Sequence, residues 1–87
     1  MKLTELVDDY YLSFEYNNLR EETKAKYKYF LNIMLDTSVS NDKRLGSYKL
    51  SSLTTRLAKL AYNKWCDRGV PFANHIMSVT RIAVPLD

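Results

Sequence analysis

The stretch GVPFANHIMSVTRIAV, residues 69–84, decides the fold. Phe72, Ala73, Ile76, Val79 and Ala83 recur at the three- and four-residue steps that place side chains on one side of an α-helix. Asn74, His75, Ser78 and Arg81 fall on the other side. Pro71 suits a first helical turn, where a missing N–H leaves no bond unmade. Pro85 is expected to end or kink the helix. The apolar side calls for a core, while the polar side faces either water or a partner.

Working outward, three more segments share this periodicity. Residues 55–68 carry Leu57 or Ala58, Ala61, Tyr62 and Trp65 on one side, with Thr54 or Ser52 as the cap and Gly69 as the stop. In residues 20–35, Thr23, Tyr27, Phe30, Leu31 and Met34 form one face, and Asn18 with Glu21 matches a capping box. At about 100° per residue, Lys24 and Lys28 flank that face on one side, with Lys26 and Tyr29 on the other. Residues 3–16 read as one helix capped by Thr4, with Leu3, Leu6 or Val7, Tyr10 and Phe14 inward. The Ser-, Asn- and Asp-rich residues 36–52 are the longest irregular stretch, with Tyr48, Leu50 and Leu53 expected to pin its end to the core. No stretch alternates with period two. The expected fold is all-α, a small four-helix bundle.

Length and composition fit this reading. Eighty-seven residues make a single domain spanning residues 1–87, which buries roughly 60–65% of its unfolded surface. The lone Cys66 cannot form an internal disulfide and reads as a small core residue. There is no apolar run long enough for a membrane span. The acidic start MKLTELVDDYY lacks the apolar segment of a signal peptide, so a cytoplasmic setting is expected. The net charge of +3 conceals a split. Residues 1–22 hold two basic and six acidic side chains, a sum of −4, and residues 23–87 hold eleven and four, a sum of +7. A basic body suits a polyanionic partner.

Catalysis is not expected. There is one histidine, one cysteine, no glycine-rich phosphate loop and no carboxylate pair placed for acid–base work. No metal or cofactor is expected, because His75 has no companion at ligand spacing.

The order of signals along the chain resembles the core-binding (SAM-like) domain of tyrosine recombinases, the phage-integrase family. Leu19, Arg20, Thr23 and Tyr27 match the family's leucine, cap, threonine and tyrosine. Gly46, Leu50, Leu53 and Thr54 match its glycine, leucine and the Leu-Thr pair that opens a helix. Trp65 and Gly69 match its tryptophan and terminal glycine, and Asn74, Ser78 and Arg81 its Asn, Ser and Arg. Four positions depart from the pattern: Arg20 replaces the usual cap serine, Phe72 a threonine, His75 an arginine and Leu57 an acidic residue.

The resemblance implies a DNA-binding role. It also implies a chain that is part of a longer bacterial or phage-encoded recombinase, whose catalytic residues lie on a separate domain. The second and fourth helices would lie against the major groove of double-stranded DNA. The implied contacts are Thr23, Lys24, Lys26, Lys28 and Tyr29 on the second helix, and Asn74, His75, Ser78 and Arg81 on the fourth. Arg pairs with guanine or a phosphate and Asn bidentately with adenine. Other recombinase protomers would be partners in a synaptic complex, with the isolated chain a monomer. Two other readings compete. One is a protein-interaction bundle using an apolar patch of Tyr29, Ile33 and Tyr48. The other is a helix-turn-helix regulator using the last two helices.

Overall fold

The computed structural model describes residues 1–40 and 43–84. Among these residues there are five α-helices: α1 (Leu3–Tyr11), α2 (Phe14–Asn17), α3 (Glu21–Asp36), α4 (Thr55–Cys66) and α5 (Val70–Ala83). The fold is all-α apart from one small hairpin, and α3, α4 and α5 fall where periodicity places them. Pro85, the expected end of the last helix, lies outside the described residues. Val84 is already extended (φ −122°, ψ 129°), the conformation preferred before a proline.

The first segment is not one helix. The chain breaks at Leu12–Ser13, where Ser13 Oγ accepts from the Tyr16 amide (3.2 Å) and donates to the Tyr10 carbonyl (2.6 Å). Asn17 Nδ2 donates to the carbonyls of Tyr11 (3.1 Å) and Ser13 (2.9 Å). These short polar side chains replace the backbone ladder, as serine and asparagine do at helix ends. The break rotates α2 relative to α1, so Tyr16 is buried while Phe14, expected inside, is 78% exposed.

Two expected caps also differ. Asn18 closes α2, with its N–H on the Phe14 carbonyl, so no Asn18–Glu21 box forms and Arg20 takes the cap position of α3. Glu21 and Glu22 still complement the positive end of that helix. At α1 the cap position is Lys2, not Thr4, and its N–H donates to Glu5 Oε1 (3.1 Å). Thr54 does cap α4, accepting from the Leu57 amide at 3.2 Å. Gly69, between α4 and α5, has φ +115°, which side-chain-bearing residues rarely adopt.

The irregular stretch is more ordered than its composition implies. It opens with the hairpin of β1 (Ser38–Ser40) and β2 (Lys43–Arg44), strands too short for alternation to register. Two 3₁₀ turns come next, Leu45–Ser47 and Leu50–Ser52. As expected, Tyr48, Leu50 and Leu53 pack against the core. Leu3 N donates to the Tyr48 carbonyl (2.9 Å), tying α1 to this segment.

Leu3, Val7, Leu31, Met34, Ile76 and Val84 are fully buried. The α5 helix packs against both α3 and α4, burying Ala73, Ile76, Val79, Thr80 and Ala83. Trp65 anchors α4, its indole N–H donating to Thr37 Oγ1 (2.8 Å) just past the end of α3. Cys66, expected in the core, is half-buried at its edge.

Candidate functional site

The burial of α5 is one-sided, so its other side is open. Asn74, His75, Ser78 and Arg81 are all exposed. The strip divides between two neighbours. His75 lies toward α3, stacked on Phe30 with ring centroids 5.7 Å apart and planes 4° apart. Phe30 also meets the Phe72 ring edge-on, at 5.9 Å. Asn74, Ser78 and Arg81 lie toward α4.

Between α4 and α5 runs an open groove of about 520 Å³. Its α4 wall is Thr55, Lys59, Tyr62 and Asn63, and its α5 wall is Asn74, Ser78 and Arg81. Ala58 and Met77 complete the lining and also border a small apolar cavity of about 30 Å³ inside the core, lined in addition by Trp65. The groove lining includes two cations and no carboxylate. The Tyr62 hydroxyl donates to Asn74 Oδ1 at 2.9 Å, which occupies one of the two lone pairs of that oxygen and leaves both amide N–H protons of Asn74 to donate.

The predicted residues of α3 separate as helical geometry requires. Thr23 is half-buried on the inner face. Lys24 sits over the Tyr16 ring (5.9 Å) and pairs with Glu21 (3.5 Å), and Lys28 sits over Tyr11 (6.0 Å). Both therefore turn toward α1 and α2. Lys26 and Tyr29 are exposed, and Lys26 lies one turn before Phe30, on the side that meets α5. Helical spacing thus puts Lys26 on the α5 side of α3, and Lys24 and Lys28 on another face.

The α4 wall was missed by sequence reasoning. Thr55, Lys59, Tyr62 and Asn63 do recur at helical steps, but nothing in that spacing says which neighbour they face. The expected patch of Tyr29, Ile33 and Tyr48 does not form, because only Tyr29 is exposed and the other two pack on the core. Among the described residues the large apolar side chains with the greatest fractional exposure are Leu12 and Phe14, at the break between α1 and α2. Among the described residues no group of His, Cys, Asp or Glu is gathered to hold a metal, and no helix is long and apolar enough to cross a membrane.

Comparison with protein-family models, curated proteins and solved structures finds no match to this chain.

Proposed function

We propose that this chain is a duplex-DNA-binding domain of the kind found as the core-binding domain of tyrosine recombinases. One observation carries the reading: α5 buries Ala73, Ile76, Val79 and Ala83 and turns Asn74, His75, Ser78 and Arg81 outward as one exposed strip. Arginine, asparagine and serine are side chains that bond base edges and phosphates. Lys26 flanks the strip from α3, and the charge of +7 over residues 23–87 favours a polyanion. In this reading the chain holds the duplex and meets other protomers of a recombinase, while strand exchange belongs to a separate catalytic domain.

The test is the anisotropy of a labelled generic duplex titrated with wild type, Arg81→Ala and Lys26→Ala at about 50 and 200 mM salt. We expect roughly micromolar or weaker binding that falls steeply with salt, as contacts to phosphates require. Each substitution should weaken it roughly tenfold. No binding even at the lower salt would sink the DNA reading. It would turn attention to the second reading, a protein-interaction bundle, which the exposed Leu12 and Phe14 favour.

A further inference from the structure

We infer that α4 forms part of the nucleic-acid site, and that the α4–α5 groove seats a backbone phosphate and not a base edge. The inference rests on the DNA reading above and deepens it.

The first argument is shape. Base edges lie at the floor of the DNA major groove, about 8.5 Å deep, so only a protruding element reaches them. The crest of a helix protrudes, but a recess between two helices does not. What enters a recess is the outermost part of the duplex, the sugar–phosphate ridge. The apolar floor of Ala58 and Met77 suits the sugar, and the polar walls suit the phosphate.

The second argument is the sign of the walls. Lys59 on α4 and Arg81 on α5 flank the groove, no carboxylate lines it, and neither cation is ion-paired among the described residues. Phosphate oxygens carry the charge that these cations lack a partner for.

The third argument is hydrogen-bond polarity. A bidentate contact with adenine needs both an acceptor and a donor from an asparagine. One of the two lone pairs of the Asn74 oxygen already accepts the Tyr62 proton, so that oxygen is engaged with α4 while both amide N–H protons remain to donate. A phosphate only accepts. Ser78 and Thr55 hydroxyls donate as readily as they accept, and Lys59 and Arg81 only donate, so these groups of the groove are compatible with an anion, while the Tyr62 proton is already given to Asn74.

Two duplexes of unrelated sequence separate the outcomes. Wild type, Lys26→Ala, Lys59→Ala and Asn74→Ala are titrated against both across a salt series. Lys59→Ala should weaken both duplexes by the same factor, about five- to tenfold, and lower the slope of log affinity against log salt by about one. Asn74→Ala should likewise weaken both equally. If wild type binds and Lys26→Ala weakens it, but Lys59→Ala keeps its affinity and slope, the groove is not used and the inference falls while the DNA reading stands. A loss in Asn74→Ala confined to one sequence overturns the phosphate assignment in favour of base reading. Failure of wild type to bind either duplex removes both.

Discussion

Tyr11 carries a hydroxyl that is buried and has no hydrogen-bond partner among the described residues. Its ring is well used, 5.0 Å from Tyr16 and beneath the Lys28 ammonium at 6.0 Å. A buried donor without a partner loses its hydration for nothing, at roughly 1–3 kcal/mol. Tyr11→Phe keeps the ring and removes the hydroxyl, so urea unfolding should show a gain of about 1 kcal/mol. The same burial, reinforced by Tyr16, Asp8 and Tyr10, pushes the phenol up to about 12. An unfolded tyrosine ionises near pH 10. Between those values the unfolded chain loses a proton that the folded chain retains, so stability is full below about pH 10 and falls as pH rises toward 12. The Tyr11→Phe variant should show a shallower alkaline loss in the same measurement.

At the scale of elements, the 3₁₀ turn Leu45–Ser47 is wedged against α1 and α3, and Gly46 is what lets it approach. A Cβ there would lie 2.9 Å from Thr4 Cγ2, 3.0 Å from the Leu35 carbonyl oxygen and 3.1 Å from Leu35 Cβ. Backbone oxygen does not yield as a side-chain tip does. Gly46→Ala should therefore lower stability by about 1–3 kcal/mol in urea unfolding. Thr4→Ser, which removes the methyl, should recover only part of the loss in the double variant. The long helices were legible because Phe30, Leu31 and Met34 in α3, or Ala73, Ile76, Val79 and Ala83 in α5, repeat one spacing over several turns. The α1–α2 break was not, because apolar residues continue through it. What signals it is chemical, a serine and an asparagine placed to bond freed carbonyls. In the sequence Gly46 stood out only as a match to the glycine of the resemblance, with no packing role attached, since the approach of α1 and α3 is tertiary.

At the scale of the whole molecule, the candidate site was half legible. The α5 strip belongs to one helix, so spacing alone assembles Asn74, His75, Ser78 and Arg81. It likewise separates Lys26 from Lys24 and Lys28. The α4 wall depends on which helix α5 packs beside, and that is decided by how the buried faces of α3, α4 and α5 close around one core. The shared lining of groove and core has an optical consequence. Trp65 is the chain's single tryptophan. It is held by Thr37 and lies along the small inner cavity that Ala58 and Met77 separate from the groove. The chromophore therefore sits one side-chain layer beneath the surface on which a ligand would rest. Titrating unlabelled duplex should change the intensity or wavelength of its intrinsic emission in step with binding. An emission spectrum that stays constant at saturation would count against a ligand resting on that surface.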